Sequence, residues 1–193
     1  MAVQSSFKNM TVCLFAICLV CSALLAGVYA LTKEPIDAAA KAKNEAAIKD
    51  VLPDTASAIE EERTVEMDGV TYTYNLAYDA SGNTVGCAIN VSTLGFGGPI
   101  AIKVGFDMNG VICNTKVLSQ AETPGLGAKC VEPSFSGQFK GFDPAEKKLS
   151  VKKDGGDVDA ITASTITSRA YADGLATAVK VFQAIGQTPM PLN

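Results

Sequence analysis

The sequence predicts an α+β protein: a single N-terminal transmembrane helix, then an antiparallel β-sheet domain with flanking helices. Three observations predict it. Residues 9–32 are a run of 24 positions without a charge. Between 70 and 106, three segments alternate apolar and polar side chains with period 2, the mark of half-buried strands. Residues 167–185 then return to helical spacing of apolar positions. The full length, 193 residues, suits one domain plus an attachment segment.

From the N-terminus, 1–8 is a short leading segment and 9–32 the anchor. At about 1.5 Å per residue the run spans roughly 36 Å as a helix, more than a hydrocarbon core of about 30 Å. A signal-peptide core is shorter, roughly 7–15 residues. Val20 also stands before Cys21 where a lipoprotein site needs a small residue, so the run reads as an uncleaved anchor. Lys8 precedes it, and Lys33, Lys41, Lys43 and Lys49 follow. That count leaves the side of the domain open, because charge bias loses force for a whole translocated domain. Residues 33–62 are expected as a helical linker. Within it, 34–51 is rich in Ala, Lys, Glu and Asp and stops before Pro53, and Glu60-Glu61-Glu62 forms a solvated turn before a strand.

The domain is expected over 63–188. Val70, Tyr72, Tyr74, Leu76 and Tyr78 alternate with Thr71, Thr73, Asn75 and Ala77, and residues 79–83 make a turn. Val85, Cys87, Ile89 and Val91 share one face of the next strand. Ile100, Ile102, Val104 and Phe106 follow, up to the hairpin dipeptide Asn109-Gly110 and a return strand from Val111. A Gly- and Pro-bearing stretch over 122–141 precedes a short strand at 149–152 and a loop at 153–159. The final helix, 167–185, carries Ala170, Leu175, Ala178, Val179 and Phe182 inward, with Gly186 as its C-cap residue. Pro189 and Pro191 lie in a tail, 189–193.

Composition removes whole classes of chemistry. The chain has no histidine, so no Ser-His-Asp or Cys-His nucleophile and no imidazole-bearing zinc site can be built from it. A net charge of −4 with no basic patch argues against nucleic acid as a partner. Six cysteines are present: Cys13, Cys18 and Cys21 in the anchor, Cys87, Cys113 and Cys130 in the domain. Their spacing does not make an iron–sulfur or metal site. Redox or transfer chemistry here would have to come from a cofactor.

Three loop segments stand out. Leu94-Gly95-Phe96-Gly97-Gly98-Pro99 is either a plain glycine connection or a place where backbone comes close to a ligand. Glu122-Thr123-Pro124-Gly125-Leu126-Gly127 builds a Pro-Gly turn that could also wrap a flat heterocycle. Asp159-Ala160-Ile161-Thr162-Ala163-Ser164-Thr165-Ile166-Thr167-Ser168 places five hydroxyls in seven residues at a helix start. Capping needs one hydroxyl, and a helix N-terminus also favours phosphate through its free amides and dipole.

Together these segments resemble the FMN-binding domain shared by the G subunit of the Rnf electron-transport complex and the C subunit of the sodium-translocating NADH:quinone reductase. The resemblance rests on Gly-Phe-Gly-Gly-Pro-Ile at 95–100, Glu-Thr-Pro-Gly-Leu-Gly at 122–127 and the hydroxyl run. In that family a flavin transferase joins FMN through its phosphate to a threonine in the pattern Asp-x-x-Ser/Thr-Gly-Ala-Thr. Here the resemblance implies Asp159 and Thr162 as recognition residues and Thr165 as the acceptor, with Thr167 the next candidate. Ala163 stands where the pattern usually has Gly, and Ser164 where it usually has Ala. Glu122, Thr123, Gly125, Leu126 and Gly127 are implied around the isoalloxazine, with Gly97, Gly98, Thr162, Ser164 and Thr167 completing the site.

The resemblance further implies an electron carrier without a complete active site of its own. It would act within an Rnf-type ferredoxin:NAD⁺ oxidoreductase that moves Na⁺ or H⁺. Its soluble domain would lie on the extracytoplasmic side of the cytoplasmic membrane, beside the other subunits. Chain length favours the Rnf type over the quinone-reductase type. A membrane-anchored assembly or binding module without redox chemistry is the alternative of another class.

Overall fold

The structure, a computed structural model, describes residues 7–187. The start of the expected leading segment and the tail at 189–193 lie outside those residues. Two compact units divide between Lys43 and Asn44. The first is helical: α1, Phe7–Val51, runs 45 residues and passes through both the expected anchor and the helix expected after it. Pro35 lies inside α1. It withholds one donor from the helix ladder without ending the helix. Every described residue before Asn44 is exposed. The most apolar 18-residue window has mean hydropathy 2.6, so this helix is long and apolar enough to cross a membrane.

The second unit holds the last turns of α1 and six strands: β1 Ala58–Ile59, β2 Arg63–Met67, β3 Val70–Tyr78, β4 Thr84–Leu94, β5 Pro99–Asp107 and β6 Ile112–Gln120. They pair antiparallel in the order β1-β3-β4-β5-β6, with β2 also on β3. Two hairpins close on the same device. Asp79 Oδ1 accepts from the Ser81 and Asn83 amides, and Asp107 Oδ1 accepts from those of Asn109 and Val111, at 2.8–2.9 Å. Between β2 and β3, Asp68 and Gly69 take φ 54° and 75°, the conformation of a type I′ turn.

Period 2 sorts the sheet's side chains. Cys87, Ile89 and Val91 of β4 lie opposite Phe106, Val104 and Ile102 of β5. All six are buried on one face with Leu76, Ile100, Ile112 and Val117. Helix α3, Thr165–Gln187, covers that face with Tyr171, Ala172, Leu175, Ala178, Val181 and Ile185. Burying each large apolar side chain of that set contributes about 1.5–3 kcal/mol. Phe182 stacks on Phe106 with centroids 5.1 Å apart. Helix α2, Pro133–Ser136, brings Phe135 against Tyr171. On the other face the end of α1 packs Ile48, Val51 and Leu52 against Ala77 and Ala88. The sheet is pared to small residues there, and a Cβ on Gly105 would stand 1.8 Å from the Val51 carbonyl oxygen.

Several expectations need correction. The helix expected over 34–51 does end at Val51, whereas the remainder of the expected linker contains a strand, β1 at Ala58–Ile59. The last turns of α1 stay helical because they bury Ala47, Ile48 and Val51. The strand expected at 149–152 is a single parallel bridge, Val151 to Val158, followed by a 3₁₀ turn over Lys152–Asp154. Gly155 in the left-handed region, φ 77°, turns the chain back before a ladder can form. Helix α3 starts at Thr165, two residues earlier than expected, and Gly186 lies inside it rather than capping it.

Candidate functional site

Three chain segments far apart in sequence converge on one cavity of about 420 Å³, lined by Phe96, Glu122, Thr123, Leu126, Gly127 and residues 163–167. Each wall follows from local chemistry. In the β4–β5 connection the Gly95 amide donates to the Gly98 carbonyl at 2.9 Å, which lifts Phe96 to the tip of a tight turn. Phe96 is 71% exposed. After β6, Pro124 and Gly125, with Gly125 at φ 76°, form a turn closed by the Leu126 amide on the Thr123 carbonyl at 3.2 Å. This is the type II geometry that Pro followed by Gly favours. It holds Leu126 half-exposed at the cavity edge.

The third wall is the start of α3. Ser164 takes the capping position: its carbonyl accepts from the Ser168 amide at 3.1 Å and from the Ser168 hydroxyl at 2.9 Å. Ser168 Oγ in turn accepts from the Ile161 amide at 2.9 Å. The amides of Thr165, Ile166 and Thr167 have no hydrogen-bond partner among the described residues. These are the free donors that make a helix N-terminus a place for phosphate. Ala163 precedes them at φ 60°, in the left-handed region that glycine enters without steric cost. The resembled pattern usually has glycine at this position, and the backbone here supplies the physical reason.

The five hydroxyls of the run separate by environment. Thr162 is exposed and lines a different groove of about 320 Å³, with Asp159, Lys129, Glu132 and Gln138. Ser168 is spent on the cap and is fully buried. Ser164 is buried at 7% exposure. Thr167, 1% exposed, donates to Glu122 Oε2 at 3.0 Å. Thr165 is half-buried, lines the cavity, and its hydroxyl has no partner among the described residues.

Glu122 ties the walls together. It is 6% exposed, and its Oε1 accepts from the Gly97 amide at 3.3 Å while Oε2 accepts from Thr167. Two glycines make room for it: a Cβ on Gly95 would lie 1.9 Å from Oε1, and one on Gly127 2.3 Å from Oε2. Behind this wall, burial first and then the Glu122 charge push the Cys130 thiol up to about 11. Tyr171, fully buried, donates to Thr115 Oγ1 at 2.8 Å, and burial raises its hydroxyl above the usual tyrosine range.

Of the residues expected at the site, Glu122, Thr123, Leu126, Gly127, Ser164, Thr165 and Thr167 line the cavity together. Gly97, Gly98 and Gly125 support its loops without lining it, and Asp159 and Thr162 belong to the neighbouring groove. Asp159 is ion-paired to Lys152 at 2.7 Å. Sequence reasoning did not single out Phe96, Ala163 and Ile166 as lining residues. A large apolar side chain framed by glycines was the available signal for Phe96, whereas nothing local marks Ile166, 52% exposed in the first turn of α3.

The cavity suits FMN on two counts. Free amides and an uncommitted hydroxyl at the start of α3 are groups that a phosphate can use, and Phe96, Leu126 and Ile166 offer apolar surface to a flat ring.

Comparison with known proteins gives a consistent outcome. The FMN-binding domain family matches residues 95–180, and the RnfG N-terminal region matches residues 1–51. The G subunit of the ion-translocating oxidoreductase complex of Methanosarcina acetivorans is 32% identical over 188 residues, covering 95% of this chain and 98% of that protein. The G subunit of the Na⁺-translocating ferredoxin:NAD⁺ oxidoreductase complex of Acetobacterium woodii is 34% identical over 113 residues, 56% of this chain and 54% of that one. The crystal structure of the C subunit of Na⁺-translocating NADH-quinone reductase from Parabacteroides distasonis shares the fold, with TM-score 0.52 and 23% identity over 68% of this chain and 80% of that one.

Proposed function

The chain belongs to the family of G subunits of ion-translocating oxidoreductase complexes, and from that premise we propose that it carries FMN joined through its phosphate to Thr165. It is a membrane-anchored electron-transfer subunit of an Rnf-type complex. The observation that carries the attachment is the start of α3. There Thr165 offers an uncommitted hydroxyl to the cavity beside three unpaired amides.

Bound FMN supplies the one- and two-electron chemistry that this chain's side chains lack. The protein's part is to hold and shield it. The amides at 165–167 and the helix dipole would hold the phosphate. Phe96, Leu126 and Ile166, from three segments, would offer apolar surface to the ring. Glu122 keeps two of those segments in register. Attachment is a phosphoryl transfer. A flavin transferase would present a flavin dinucleotide, the Thr165 oxygen would bond to the FMN phosphorus, and AMP would leave with the bridging oxygen. Asp159 and Thr162, displaced into the adjoining groove, suit contact with that transferase rather than with the flavin. The soluble domain lies on the extracytoplasmic side in this reading.

The test is direct. The full chain is co-expressed with a flavin transferase, purified and denatured. Flavin fluorescence should stay with the polypeptide, with one FMN added to its mass and mapped to Thr165. Thr165→Val should abolish both. Fluorescence lost on denaturation, or retained by Thr165→Val, would sink the attachment. Identifying the neighbouring proteins in a purified complex distinguishes the Rnf assignment from the quinone-reductase one.

A further inference from the structure

We propose that Glu122 is the residue that restricts flavin attachment to a single hydroxyl, by withholding Thr167. The proposal rests on the attachment reading above and names what makes it selective. Thr165 and Thr167 both line the cavity at the start of α3, and both carry secondary hydroxyls near the same unpaired amides. Asp159 and Thr162 direct the transferase to this turn; within it the two hydroxyls are chemically alike, and their surroundings differ.

Three features of those surroundings act on Thr167 and not on Thr165. Its hydroxyl is donated to Glu122 Oε2 at 3.0 Å, so turning it toward the cavity breaks a charge-assisted bond. Its residue is 1% exposed, whereas Thr165 is half-buried at the cavity wall. And a phosphate brought to Thr167 would approach the Glu122 carboxylate, two like charges in a water-poor wall. A carboxylate beside a hydroxyl can also act as a base. Here an anionic donor substrate would have to come up against that same carboxylate to reach Thr167, which is 1% exposed.

Glu122 is held where it can do this. Oε1 is fixed by the Gly97 amide at 3.3 Å. The Glu122 amide donates to Gln120 Oε1 at 2.6 Å. Gly95 and Gly127 leave the space its carboxylate occupies, since a Cβ on either would fall within 2.3 Å of a carboxylate oxygen. The residue is a positioning residue: it acts on the modification through Thr167 and through the loop that bears Phe96. The step it governs forms one O–P bond from a threonine to FMN and breaks the P–O bond to AMP. The hydroxyl proton is lost to solvent or to the transferase.

The experiment is peptide mapping by mass spectrometry of the full chain purified from cells that also make a flavin transferase. Wild type should carry FMN on Thr165 alone. In Glu122→Ala, Thr167 should also carry FMN, at least about tenfold above the wild-type background, as a freed hydroxyl competes. Glu122→Gln, whose carbonyl can still accept from Thr167, should restore modification at Thr165 only. Thr165→Val leaves Glu122 untouched and keeps the test open should Glu122→Ala fail to fold; it should carry no FMN on Thr167. A folded Glu122→Ala chain modified only at Thr165, or a Thr165→Val chain modified at Thr167, overturns the proposal. A wild-type chain without FMN on Thr165 overturns the attachment itself, and the selectivity proposal with it.

Discussion

Replacing Lys103 by methionine should make this protein more stable, and by an amount that depends on pH. Lys103 lies on β5, on the face opposite the main core, and is fully buried. Among the described residues its ammonium has one weak contact, 3.5 Å to Asn75 Oδ1. Burial pushes its pKa down from 10.5 to about 8, with the Glu62 charge opposing. At about 1.4 kcal/mol for each tenfold change in proton affinity, holding this charge at pH 7 costs on the order of 3 kcal/mol. Methionine keeps the unbranched stem and removes the charge. It leaves Asn75 Oδ1 without a donor, which costs about 1 kcal/mol, so the expected net gain near pH 7 is about 2 kcal/mol.

The sign of the pH effect follows from proton binding. Between about 8 and 10.5 the unfolded lysine binds a proton that the folded one has lost. Stability therefore rises with pH through that window, and the penalty is fully present below it. The thiols act oppositely: burial holds Cys87 up at about 12 and Cys113 and Cys130 at about 11, so they lose stabilisation as pH climbs past 9. The two proteins share those thiols, so the difference between them isolates Lys103. Urea unfolding of the full chain in detergent, followed by tyrosine fluorescence and far-UV circular dichroism from pH 7 to 10, measures it. The variant's advantage should shrink toward zero as pH approaches 10. A variant less stable than wild type at pH 7, or an advantage that does not change with pH, would refute the reasoning.

Two further substitutions test the backbone. Ala163→Gly relieves a left-handed residue, φ 60°, and should raise stability by about 0.5–1 kcal/mol in the same unfolding assay; a loss would show that the conformation carries no strain. Gly105→Ala sets a Cβ 1.8 Å from the Val51 carbonyl oxygen. It should cost about 2–3 kcal/mol and speed proteolysis between Asn44 and Ser57, as the end of α1 lifts from the sheet; unchanged stability and cleavage would mean that the close approach is not a packing constraint.

Much of this architecture is legible without coordinates because it is written in short-range patterns. The strands β3 to β5 announce themselves by alternation, and Pro124-Gly125 states its own turn type. The failures are instructive for the same reason. Strand β2, Arg63-Thr64-Val65-Glu66-Met67, interleaves charges with only two apolar residues, and its pairing with β3 is what makes it a strand. The stretch at 149–152 carries strand-forming residues but finds one bridging partner, so it does not extend. The last turns of α1 look like linker, yet their side chains are buried against the sheet.

The sequence by itself determined the elements of this protein: an apolar run long enough for a membrane, strands set by period 2, and loops whose residues permit tight turns. Each is a property of neighbours along the chain, and neighbours are what a sequence shows. Only the tertiary structure decided which hydroxyl faces the cavity and which is committed. That choice depends on Glu122 meeting Gly97 across 25 residues and Thr167 across 45. Thr165 and Thr167 are chemically alike, and they differ because one of them has a buried carboxylate for a partner and the other faces open space.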